Sequence, residues 1–171
     1  SKLASNPILL FIDADVTLES NALAYSAWMM EKHKLSMLSV FPTQITNTWG
    51  ERLVVPLMNW LLLTFLPLYQ VYKSGNKSLS AANGQFILIE KDAYTKIGSH
   101  RNFKMEVVED MEIIRSIKEN KMKAMTCLGN KAVYASMYGS FADSMGGFSK
   151  NFFAGFNTSR SIFLILITAL I

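Results

Sequence analysis

The chain has 171 residues, enough for one domain with a real core. Half of them are hydrophobic and the net charge is +4, with lysines and arginines dispersed rather than clustered. That dispersion excludes the basic footprint of a nucleic-acid binder. A modest positive balance beside apolar segments suits an anionic membrane surface instead. The single cysteine, Cys127, excludes an intramolecular disulfide framework and fits a reducing compartment. The chain begins at Ser1 and stops inside an apolar run, so it is expected to be a fragment of a longer protein.

Pro7-Ile8-Leu9-Leu10-Phe11-Ile12 is an apolar run without alternation that ends in Asp13-Ala14-Asp15. The run reads as a strand buried on both faces, as in a mostly parallel sheet. In extended backbone Asp13 and Asp15 would share a side. Ser20 is expected to cap a helix running to about Lys32, and residues 35–41 read as a second strand ended by Pro42. Residues 53–69 are almost all apolar, with Pro56 and Pro67 among them. They read as one or two helices lying in the membrane interface or lining an opening for an apolar substrate. A buried core helix and a true span are the alternatives, and Pro56 disfavours a straight span. Asn83-Gly84 leads into a strand over residues 85–90, and Asp92 is expected to cap a short helix ending at Gly98. A polar loop with His100 and Arg101 follows, then a helix over 111–119 opened by Glu109-Asp110. Short strands near 122–128 and 132–137 precede an amphipathic helix from Gly139 to about Phe153. Residues 161–171 are apolar or small apart from Thr168, and they read as the start of a transmembrane helix, with a terminal core helix as the alternative.

Two acidic signals carry chemistry. Asp13 and Asp15, close together at a strand end, repel unless a cation sits between them. An oxygen-preferring divalent ion, Mg2+ or Mn2+, answers that and brings phosphate oxygens with it. A solvated turn is the competing reading. Glu109-Asp110 at a helix start is favoured by the helix dipole whatever its role. The order of Asp13-Ala14-Asp15, Asn83-Gly84-Gln85-Phe86, Ile97-Gly98-Ser99-His100, Glu109-Asp110 and Gly147-Phe148-Ser149-Lys150-Asn151 is more informative than any one of them.

Taken together, these segments resemble the second half of a family 2 glycosyltransferase of the GT-A fold. The similarity is to membrane-associated bacterial members that glycosylate lipids, the hopanoid-linked and carotenoid-type enzymes. It spans residues 5 to 171. The resemblance implies an α/β domain with a mostly parallel central sheet, over residues 1–156, and a transmembrane start over 157–171. It implies inverting transfer of a sugar from a nucleotide-sugar donor to a hydroxyl of a lipid acceptor, with the domain on the cytoplasmic side of the membrane. Asp15 would hold the metal bridging the diphosphate and Asp13 would help place metal or sugar. Asp110 would be the general base, with Gly84, Gln85, Glu109, His100 and Lys150 around donor and acceptor. The sequence departs from processive members, since residues 140–145 lack the Gln-x-x-Arg-Trp motif. The nucleoside-binding strands of the family have no counterpart after Ser1, so this stretch is not expected to act alone. Asp13-Ala14-Asp15-Val16-Thr17 also fits the first motif of a haloacid-dehalogenase-type phosphatase with Asp13 as nucleophile. A non-catalytic membrane scaffold is the third reading.

Overall fold

The computed structural model describes residues 4–46, 48, 49, 52, 55, 56, 60, 68–103 and 108–136. These form an α/β structure with two mixed sheets. The larger has strands β1 (Ile8–Ile12), β3 (Met37–Phe41), β5 (Phe86–Glu90) and β6 (Ala124–Leu128), in the order β1-β5-β3-β6. The smaller has β2 (Val16–Leu18), β4 (Thr43–Gln44) and β7 (Val133–Ala135), in the order β2-β7-β4. Helices α1 (Ala22–His33), α2 (Leu68–Lys73), α3 (Lys91–Lys96) and α4 (Glu109–Glu119), with a 3-10 turn at His100–Phe103, connect them.

The expected mostly parallel sheet is corrected to a mixed one. In the larger sheet β5 runs antiparallel to both β1 and β3, and β3 pairs parallel with β6. Unbroken apolar runs such as Phe86-Ile87-Leu88-Ile89 report burial on two faces, not strand direction. Here β5 enters at the edge where β1 and β3 end, so it runs back between them. Its alternation sends Phe86 and Leu88 to one face and Ile87 and Ile89 to the other. The first face is covered by Ala22 and Met30 of α1, the second by Tyr94 and Ile97 and by Ile113, Ile114 and Ile117 of α4. Those three isoleucines are at most 1% exposed, and burying each contributes roughly 1.5–3 kcal/mol.

β1 lies at the end of its sheet, and only Leu9 in it is buried; the expected burial on both faces does not hold among the described residues. Nor do Asp13 and Asp15 continue the strand. The strand stops at Ile12, and Val16 N–H donates to Asp13 C=O at 3.2 Å, closing a turn before β2. Neither expected cap forms through a side chain. Asn21 precedes α1 and Glu90 precedes α3, both without a side-chain capping bond. Asp92 falls in the first turn of α3, where the dipole favours it. Gly98 is left-handed as expected, with φ +85°, and a Cβ there would lie 1.8 Å from the Asn102 amide. Residues 49, 52, 55, 56 and 60 are helical. No helix among the described residues is long and apolar enough to cross a membrane. The remainder of 53–67 and the expected helices over 139–153 and 161–171 lie outside the described residues.

Candidate active site

One edge of the larger sheet gathers the carboxyl ends of β1 and β3 and the entry to β5. The Asn83-Gly84-Gln85 segment crosses that edge, and its shape is set locally. Asn83 Oδ1 accepts the Gln85 N–H at 2.8 Å, an Asx turn. Ser39, fully buried in β3, accepts the Asn83 N–H at 2.7 Å and donates to its carbonyl at 3.1 Å. The segment is therefore bolted to the sheet before any ligand arrives.

From this segment two contacts reach the two acidic motifs. Gly84 N–H donates to Asp110 Oδ2 at 2.9 Å. Gln85 Nε2 donates to Asp15 Oδ2 at 3.1 Å, and its Oε1 accepts from Gln44 Nε2 at 3.2 Å. Gln85 C=O also accepts the Asp13 N–H at 3.1 Å, while Asp15 C=O accepts the Ser136 N–H at 3.2 Å. A buried glutamine thus orients one carboxylate, and the adjacent glycine touches the other.

The carboxylates differ in environment. Burial pushes the Asp110 carboxyl above its ordinary value, and this outweighs the opposing pull of backbone N–H groups at Met111 and Gly84; the charge of Glu109 adds to the rise. A raised, hydrogen-bonded carboxylate is suited to take a proton. Asp13 is raised by partial burial and then by the charges of Asp15 and Glu109. By surface area Asp13 is exposed, so solvent screens much of that effect.

Of the residues named from sequence, Asp13, Asp15, Gly84, Gln85 and Asp110 meet at this edge, and Glu109 precedes Asp110 in the first turn of α4. His100 stands beside that edge. Its ring packs on Phe11 of β1 at 4.7 Å between centroids, its Nδ1 lies 2.6 Å from the Tyr94 hydroxyl, and its backbone N–H donates to that oxygen at 3.2 Å. These contacts tie it to Tyr94 and Phe11 rather than to the carboxylates. Lys150 lies outside the described residues. Gln44, Ser39 and Tyr94 join the site region without having been singled out from the sequence. None of the three carries a distinctive sequence signal. Cys127 has a thiol pushed up to about 11 by burial, which favours its protonated form at neutral pH.

Among the described residues no group of three or more His, Cys, Asp or Glu side chains is placed to hold a metal alone. Asp13 and Asp15 are the carboxylates that would share a hard divalent cation with a ligand's oxygens. Mg2+ is commonly held by one or two carboxylates plus substrate phosphates, and the mutual repulsion at Asp13 is what such an ion relieves. The chain matches no known family model, and no curated protein matches it. The class is thus set by geometry alone: an α/β protein with a carboxylate-lined site at a sheet edge.

Proposed function

We propose that this protein transfers a sugar from a nucleotide-sugar donor to a hydroxyl of a lipid acceptor at a membrane surface, with inversion. The observation that carries the reading is the Gly84-Gln85 pair, which touches Asp110 on one side and Asp15 on the other. Such a transfer needs a base on the acceptor side and charge compensation on the departing diphosphate. Asp13 and Asp15 are the residues that would hold Mg2+ or Mn2+, which when bound offsets negative charge on the diphosphate. Gln85 keeps Asp15 turned toward that task. Asp110 removes the acceptor hydroxyl proton as the acceptor oxygen bonds to the anomeric carbon. The bond from that carbon to the diphosphate breaks, and its electron pair leaves with the diphosphate. The apolar character of residues 53–69 supports a lipid acceptor.

Membranes containing the full-length protein, incubated with a panel of nucleotide sugars and Mg2+ or Mn2+ and read by lipid mass, test the reading. A sugar-sized mass gain on a lipid supports it. A trapped phosphoenzyme on Asp13 supports the phosphatase instead and overturns the transferase.

A further inference from the structure

Three helical stretches repeat one local device. Trp28 of α1 is 44% exposed, with Lys32 Nζ 4.3 Å above its ring. Trp49 is 86% exposed, with Arg52 at 5.9 Å. Tyr69 of α2 is 68% exposed, with Lys73 at 5.6 Å. In each case the cation stands about one turn after the ring, so a large apolar surface is left in the open with a positive charge at its rim.

On α1 and α2 these pairs form a continuous surface. Tyr25 packs beside Trp28 at 5.2 Å, Lys32 covers Trp28, and the neighbouring His33 meets Tyr72 of α2 edge-on at 5.5 Å. Lys73 then lies near both Tyr72 and Tyr69. The opposite face of α1 is spent on the core through Ala22 and Met30, and among the described residues this outer face is not part of that core.

We propose that the outer face of α1, continued by α2, is a docking surface for an anionic phospholipid bilayer. Tryptophan and tyrosine are favoured at bilayer interfaces, where one end of the ring is apolar and the other wet. Lysine stems extend along apolar surface while the ammonium reaches outward to lipid phosphates. Over residues 22–34 and 68–73 the lysines Lys32, Lys34 and Lys73 face a single acid, Glu31. That balance attracts an anionic surface and repels a second copy of itself. The surface deepens the membrane part of the proposed function but uses none of its carboxylates. Failure here leaves the transferase chemistry standing, and failure of that chemistry leaves this surface standing.

The test uses the 171-residue chain with Trp49→Phe and Trp60→Phe, leaving Trp28 as its tryptophan, and vesicles of three parts phosphatidylcholine to one of phosphatidylglycerol. Trp28 emission should shift to the blue and be quenched by brominated lipid. Lys32→Gln with Lys73→Gln should weaken partitioning roughly 30-fold, about five-fold per lysine. The same charge change at exposed Lys96 and Lys121 should leave it nearly unaltered, with far-UV circular dichroism unchanged in every variant. The proposal is overturned if vesicle-bound protein leaves Trp28 open to acrylamide, or if no vesicle binding occurs. It is equally overturned if both lysine pairs weaken binding alike, or if Trp28 becomes protected with rising protein concentration and no lipid.

Discussion

Replacing Gln85 by glutamate places a second carboxylate where an amide now donates to Asp15 at 3.1 Å. Gln85 is 4% exposed, so the new charge has little access to water. Two unit charges at that distance repel by about 5 kcal/mol at an effective dielectric of 20. Protonating one of them caps the cost. From an ordinary glutamate value near 4.3 to pH 7, that protonation costs about 4 kcal/mol. The folded pKa of the introduced carboxyl is therefore raised above its unfolded value. Stability is then fully present below the unfolded pKa and lost as pH rises through the folded one. Gln85→Glu should unfold about 3–4 kcal/mol more easily than the parent at pH 7 and within roughly 1 kcal/mol of it at pH 4. Urea unfolding in EDTA, followed by far-UV circular dichroism, reads this. Gln85→Leu is the control, with a loss of roughly 1.5–3 kcal/mol for a bond to a charged group. The difference between Gln85→Glu and Gln85→Leu, not either alone, should carry the new pH dependence. A Gln85→Glu variant whose stability parallels the Gln85→Leu variant across this range would refute the contact with Asp15.

Other outcomes follow from the same geometry. A Cβ at Gly84 would sit 3.7 Å from Asp110 Cβ and 3.8 Å from its Oδ2, ordinary contact distances. Gly84→Ala should therefore change stability by less than about 1 kcal/mol in thermal melts while lowering transfer at least about ten-fold by covering the base; normal transfer would remove Gly84 from the acceptor path. Because burial raises Asp110, the acid side of the pH–rate profile should lie above the ordinary carboxylate range, with activity falling as pH is lowered through that value. Stability has the opposite sign, since the contribution from this site is present at acid pH and lost as pH rises through the raised pKa. Asp110→Asn should flatten that part of the stability profile, and an unchanged profile would contradict the assigned burial. Asp15→Ala should raise the Mg2+ or Mn2+ concentration needed for half-maximal transfer at least about ten-fold, and an unchanged requirement would remove Asp15 from metal binding.

Much of the site is legible in the sequence because its residues occupy positions where secondary structure itself exposes polar groups. Asp13 and Asp15 follow an apolar strand, and Glu109-Asp110 opens a helix whose Ile113, Ile114 and Ile117 are all buried. That the two motifs meet through Gly84 and Gln85 depends on β5 running back between β1 and β3, and periodicity does not encode strand direction. The same gap explains the mixed sheet. Ser39 and Gln44 are hard to single out because one hydroxyl inside a strand and one amide after a proline look ordinary until the Asn83 segment is folded over them. Extended backbone is the natural expectation for the Asp pair, yet three polar or small residues after Ile12 are enough to make a turn. His100 lies beside the site region, but its locking by Tyr94, six residues earlier, joins a helix to a 3-10 turn that the sequence shows only as a polar loop.

The most direct test of the central claim is sugar transfer by membranes carrying the full-length protein, compared with membranes carrying its Asp110→Asn variant at equal abundance. The account predicts a fall of about 10²–10⁴-fold in transfer rate with the donor KM little changed, because the base acts on the acceptor proton. Transfer by Asp110→Asn at the parent rate would contradict it.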